Sequence, residues 1–286
     1  MMVLPGILIV LVYQYGPMFG LVMAFEDFKP VHGFFQSSWV GLDNFSYILN
    51  MPNLSRVLWN TLFIASMKII GGLLTPIIVS LLLNELRIEV IKRGIQTLIY
   101  LPHFLSWIIL GGVMIDILSP SGGIVNQMIT FFGFKPIFFL GNVQWFPFTL
   151  VISDIWKEFG FSTIVFLAAL SGINPALYEA AVVDGANRWR QTWSITIPAI
   201  LPIIVLMVTL SLGQVLNAGF EQVFTLYNPL VYESGDIIDT FVYRLGMVNA
   251  QYSIATAVGL FKSIVSFLLI SCSYYLAYRF ANYRIF

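Results

Sequence analysis

The polar side chains that interrupt long apolar runs are where this chain could do chemistry. Gln214, Asn217 and Glu221 fall at i, i+3 and i+7, the spacing of one helical face. Gly213 and Gly219 leave room beside them. Amides and a carboxylate suit a ligand dense in hydroxyl groups, such as a sugar, because hydroxyls both donate and accept. A polar face of this kind either lines a water-filled route or supplies hydrogen bonds that hold a helix bundle. Asp154, Lys157 and Glu158 stand at i, i+3 and i+4 and could pair with one another. Asp154 with Lys157 reads equally as a structural pair or as part of a pathway. Lys68, Asp116 and Lys262 are the other charges in apolar surroundings. Each would cost about 2.5–3.5 kcal/mol unpaired at mid-membrane. Trp107, Trp145 and Trp156 could stack on sugar rings, although interfacial anchoring explains Trp145 more simply.

Catalytic signatures do not appear. The sequence contains no G-x-x-x-x-G-K-[ST], so it has no loop to cradle nucleotide phosphates. It has no H-E-x-x-H, its His32 and His103 are isolated, and there is no G-x-S-x-G elbow. Nothing here predicts an enzyme. Cys272 is the lone cysteine, so no intrachain disulfide can form.

The elements that must position these residues follow from composition. Hydrophobic residues make up 58% of the chain and charged residues 10%, and the mean hydropathy is +0.87. Soluble domains carry about 25% charged residues, so this is an all-α integral membrane protein. Net charge of zero argues against a nucleic-acid partner. Apolar runs of roughly 20 residues predict six spans: Val3 to Phe25, Leu58 to Leu83, Ile95 to Leu118, Phe146 to Leu170, Ile195 to Phe220 and Ile254 to Phe280. One set of loops carries Arg87, Lys92, Arg93, Arg188, Arg190, Arg279 and Arg284; the other carries Lys29, Arg56, Lys135 and Arg244. The larger set faces the cytoplasm, which puts both termini inside. The face bearing Glu221 then lies in the outer half of the bilayer. The outer segments hold turn residues and are too short for a separate domain, so residues 1–286 read as one domain. The first apolar run begins at Met1 without a charged leading stretch, which leaves open a natural N-terminus ahead of this numbering. In the sixth span, Ser253, Thr256, Gly259, Ser263 and Ser266 form a small-residue stripe suited to helix packing, against a second subunit or within the chain.

One polar interruption is densely patterned. Asn174 to Pro202 reads NPALYEAAVVDGANRWRQTWSITIPAILP. Asn174 and Pro175 are a helix cap and first-turn residue. Gly185 permits a turn through positive φ, and Arg188, Trp189, Arg190 and Trp193 mark a membrane boundary. Glu179-Ala180-Ala181, Gly185, Ile195 and Ile197-Pro198 resemble the EAA loop of binding-protein-dependent ABC importer permeases. That pattern is EAA, three residues, G, nine residues, I, one residue, LP, and this chain departs once, with Ile197 in place of Leu. Tyr100-Leu101-Pro102-His103, Phe220-Glu221-Gln222-Val223-Phe224, Tyr227-Asn228-Pro229 and Gly259-Leu260-Phe261-Lys262-Ser263 resemble the oligosaccharide branch of the same permeases.

The resemblance implies a six-helix type I ABC importer permease with both termini inside a bacterial cytoplasmic membrane. It implies a cytoplasmic coupling loop at about 172–198, where Glu179, Ala180, Ala181, Gly185 and Pro198 meet and answer an ATPase. Gln214, Asn217, Glu221, Gln222, Asp154 and Lys157 are the expected pathway residues. The implied partners are a second, non-identical permease, two ATPase subunits that bind ATP and magnesium, an external sugar-binding protein and membrane lipid. No cofactor is expected in this chain. The rivals are a permease for a non-sugar solute, which would share the loop, and an ion-coupled secondary transporter using Asp154, Glu158 or Glu221, which would need no loop.

Overall fold

The computed structural model describes residues 3–281, with side chains omitted at 273 and from 276 onward. Arg284 lies outside the described residues, and so does the side chain of Arg279. Among the described residues, four helices are long and apolar enough to cross a membrane unbroken: Leu4–Phe25, Leu54–Glu85, Arg188–Leu212 and the last one, from Tyr252. Two bent pairs bring the total to six. They are Glu89–Phe104 with Trp107–Leu118, bent by 106°, and Phe146–Ser171 with Pro175–Val183, bent by 68°. The first and last spans pack on each other at their outer ends, where the Phe28 amide donates to Ser253 Oγ at 2.8 Å.

Two spans differ from the sequence expectation. The third is not one straight helix. It stops at Phe104 and restarts at Trp107, with Ser106 accepting from the Ile109 amide as an N-cap. The α-helix ends at Tyr100, just ahead of Pro102, whose missing amide and ring disfavour a continuing α-helix, and after a short tight turn Leu105 and Ser106 are extended. The fifth span does not run on to Phe220. It ends at Leu212, passes through a turn at 213–216, and only at Phe220 does a short helix, Phe220–Leu226, begin. Gly219 sits at φ +91°, a left-handed conformation that costs glycine little and other residues much.

The second and fourth spans pack lengthwise as the centre of the bundle. Small residues set their approach. A Cβ at Gly71 would stand 2.1 Å from Ile155 Cδ1, and one at Gly160 would stand 1.8 Å from the carbonyl oxygen of Ile99 on the third span. Phe146, Leu150, Ile64, Val223 and Ile237 fill the outer part of this core. Among the described residues, one departure from an all-helical chain lies outside the membrane, a two-residue antiparallel ladder pairing Glu26 with Trp39 and Asp27 with Ser38.

The sidedness expected from the basic residues agrees with the contacts. Arg188 at the start of the fifth span lies 3.6 Å from Glu85 at the end of the second, so the patterned loop and the Arg87–Arg93 segment share one face. Arg56 and Glu233 meet at 3.9 Å on the opposite face.

Candidate functional site

The patterned loop folds as its residues predict. Asn174 Oδ1 accepts from the Ala176 amide at 3.0 Å and opens the helix Pro175–Val183. Gly185 turns through φ +75°, and Asn187 caps the next helical segment by accepting from the Arg190 amide. Glu179 and Ala180 are exposed, Ala181 is half-buried, and no residue of this helix is buried. Leu177, Val182 and Val183 are exposed beside Glu179. The outer face of the helix therefore offers one carboxylate in an apolar setting.

Its rear is fastened to the fifth span. Tyr178 Oη and Thr196 Oγ1 share a hydrogen bond at 2.9 Å. The buried Gln191 donates through Nε2 to the Ala186 carbonyl at 2.8 Å. Thr196 closes a π-helical turn, Thr192–Thr196, that runs without a break into Ile197–Leu212. Pro198, expected to tie loop to span, sits exposed in the first turn of that continuous helix. The side-chain contact that makes the tie is Tyr178 with Thr196, which local pattern does not reveal because the two pair across the Gly185 turn.

At mid-membrane the two broken spans explain the intramembrane charges. Unwound backbone inside a bilayer must find partners within the protein. Lys68 of the second span donates to Asp154 Oδ1 at 3.1 Å, to the Ala218 carbonyl at 2.7 Å and to Gln222 Oε1. Gln222 in turn donates to the Leu150 carbonyl and to Ser153 Oγ, both at 2.8 Å. Lys157 donates to the His103 carbonyl at 3.1 Å and to Glu158 Oε1 at 2.7 Å. His103 Nδ1 meets Glu158 Oε2 at 2.7 Å, and its ring stacks on Phe161 at 4.1 Å. The fourth span thus braces the third-span break with Lys157 and Glu158, and the fifth-span break with Asp154, Ser153 and Leu150.

This corrects the pairing expected from sequence. Asp154 pairs with Lys68 rather than with Lys157, whose carboxylate partner is Glu158. The break also separates Gln214, Asn217 and Glu221, which share no helical face. Gln214 and Asn217 are exposed and bonded to each other in the turn, and Lys262 donates to Asn217 Oδ1 at 2.8 Å and to Asp239. Glu221 is exposed in the first turn of Phe220–Leu226. Gln222 is 0% exposed and works inside the brace.

A cavity of about 390 Å³ opens at this break, lined by Lys68, Asp154, Ser211, Gln214, Asn217 and Gly219 among others. That is within the roughly 300–1,000 Å³ of small-molecule sites. Of the three tryptophans weighed for ring stacking, Trp107 is buried beneath Lys157, while Trp145 and Trp156 stay partly exposed. At the outer end Arg244 forks onto Asp236 and lies over the Tyr232 ring. Burial opposes its charge, but the bond and charge of Asp236 outweigh burial and hold its pKa above the ordinary arginine value.

Comparison with known proteins agrees with this geometry. Residues 72–282 match the family described as binding-protein-dependent transport system inner membrane component. The chain is 43% identical over 282 residues to the polygalacturonan/rhamnogalacturonan transport system permease protein YteP of Bacillus subtilis (strain 168), covering 99% of this chain and 88% of that protein. It is 43% identical over 280 residues to protein LplB of the same organism, covering 98% and 88%. Among solved structures it resembles a chain of a bacterial ABC transporter involved in the import of the acidic polysaccharide alginate. There the TM-score is 0.90 and the identity 40%, covering 98% of this chain and 94% of that one. The alginate transporter in complex with its alginate pentasaccharide-bound periplasmic protein gives a TM-score of 0.89 at 39% identity, covering 97% and 93%. The family and these relatives are transport subunits rather than enzymes, and the chain belongs to the inner-membrane permease components of binding-protein-dependent ABC importers.

Proposed function

We propose that this chain carries oligosaccharides inward as one of two unlike permease subunits, driven by ATPase subunits that dock on the Glu179 helix. The observation that carries the reading is the fastening of that helix to Thr196, at the base of the span whose far end breaks at the cavity. A push on the helix enters the fifth span directly. The amides of Gln214 and Asn217 and the carboxylate of Glu221 offer donors and acceptors to sugar hydroxyls. Asp154 reaches the cavity wall, while Lys157 and Gln222 act behind it. Relatives that handle polygalacturonan, rhamnogalacturonan and alginate support the sugar assignment. ATP and magnesium belong to the partner ATPases, residues 1–286 act as one permease domain with the loop at 172–198, and an external binding protein delivers the sugar. The motion is alternating access by rigid-body rearrangement.

The test is uptake into vesicles containing the whole importer, with oligogalacturonides, neutral oligosaccharides and glycerol 3-phosphate as candidates. ATP-dependent uptake of an oligosaccharide, abolished by Glu179→Lys with the complex still assembled, is the expected result. Uptake that persists in Glu179→Lys overturns the docking role, and uptake of glycerol 3-phosphate alone overturns the sugar assignment.

A further inference from the structure

We propose that the outer helix Ile124–Phe131 lies in the headgroup region of the outer leaflet, with membrane lipid as its partner. The helix stands between Leu118, where the outer half of the third span ends, and Phe146, where the fourth span begins. Its start is therefore held close to the outer end of the third span. Ile124, Met128 and Phe131 stand at i, i+4 and i+7 and form one exposed apolar strip, Phe131 being 86% exposed. Phe132 and Phe134 extend it past the helix end.

The rotation of the helix is not free. Asn126, 2% exposed, donates to the carbonyls of Leu118 at 3.1 Å, Ser119 at 3.1 Å and Ile137 at 3.0 Å, and accepts from the Ile137 amide at 2.7 Å. These bonds pin the opposite side of the helix to the bundle, so the apolar strip faces outward by construction. The strip is covered by lipid rather than by a soluble protein for two reasons. No ionisable side chain occurs between Asp116 and Lys135, so this surface has none of the charge that steers a soluble partner. The half-span that precedes it also exposes large apolar side chains, at Ile108 and Ile115. An apolar strip with a polar edge, here Gln127 and Thr130, is the pattern of a helix lying in the interface plane. Its hold on lipid passes inward through Asn126 to the third span. Gly111 of that span touches Thr225 on the helix that carries Glu221.

The proposal does not depend on which solute is carried. Its test uses spin labels on the complete importer in phosphatidylcholine–phosphatidylglycerol vesicles. The exposed Cys272 is first replaced by Ser, and single labels are then placed by Met128→Cys, Phe131→Cys and Gln127→Cys. Gln127 lies about 100° round the helix from Met128. Labels at 128 and 131 are expected to collide with oxygen, which partitions into lipid, several-fold more than with a water-soluble nickel chelate. The label at 127 should show the reverse preference. Nickel access at 128 and 131 equal to that at 127 would mean the strip faces water. Protection of 128 and 131 from both reagents would mean protein covers it. Either outcome overturns the proposal.

Discussion

Lys68 of the second span and Asp154 of the fourth meet at 3.1 Å beside the break in the fifth. Each of the three protons on Lys68 has its own acceptor, and one of those acceptors is the Ala218 carbonyl exposed by the break. Removing the cation alone leaves a carboxylate, an amide and a backbone carbonyl without a donor inside the membrane. Lys68→Met should therefore lower stability by about 3–5 kcal/mol. Lys68→Met with Asp154→Leu should recover part of that loss. Thermal unfolding of the purified complex compares the two, and equal losses would show that the two residues are not coupled.

Gly160 tests how closely the third and fourth spans must approach. Gly160→Ala drives a methyl group into the Ile99 carbonyl, 1.8 Å from the ideal Cβ position. Backbone cannot yield as a flexible side chain does, so little assembled complex should reach the membrane. Gly94→Ala meets nothing within 4 Å and should stabilise its helix by about 1 kcal/mol or less. Immunoblots of membrane fractions distinguish the two variants, and a normal level of Gly160→Ala would refute the packing argument.

Coupling through Tyr178 predicts a specific defect. Tyr178→Phe and Thr196→Val each remove the same hydrogen bond. Both should keep ATP hydrolysis but move fewer molecules per ATP, and the double variant should be no worse than either single one. Parallel assays of hydrolysis and uptake measure this ratio. Additive losses would mean the two residues act separately.

The exposed amides and carboxylate at the break predict effects on transport without effects on folding. Asn217→Ala and Glu221→Ala should lower uptake several-fold while the complex still assembles and hydrolyses ATP. Asn217→Ala also takes one partner from Lys262, which keeps Asp239. Unchanged uptake kinetics in both variants would mean these side chains only hold the bundle.

The parts legible in the sequence share a physical cause: they depend on neighbours in the chain. Apolar runs long enough to cross a bilayer, the grouping of Lys and Arg, and the Asn174 cap followed by the Gly185 turn are all local features, and apart from the two broken spans the described residues follow them. The breaks were harder to see. Leu212 to Phe220 is apolar enough to read as a continued helix, because the donors that satisfy its unwound backbone come from Lys68, some 150 positions earlier in the chain. Asp154 stands three residues from Lys157 on one helix and yet pairs with another span. The tie between Tyr178 and Thr196 likewise crosses a turn. Span number, the grouping of basic residues and the local fold of the patterned loop were therefore decided by the sequence alone. Which charges pair, where spans break and which polar groups meet the cavity were decided only when the helices packed, because a buried charge takes whatever partner three-dimensional proximity supplies.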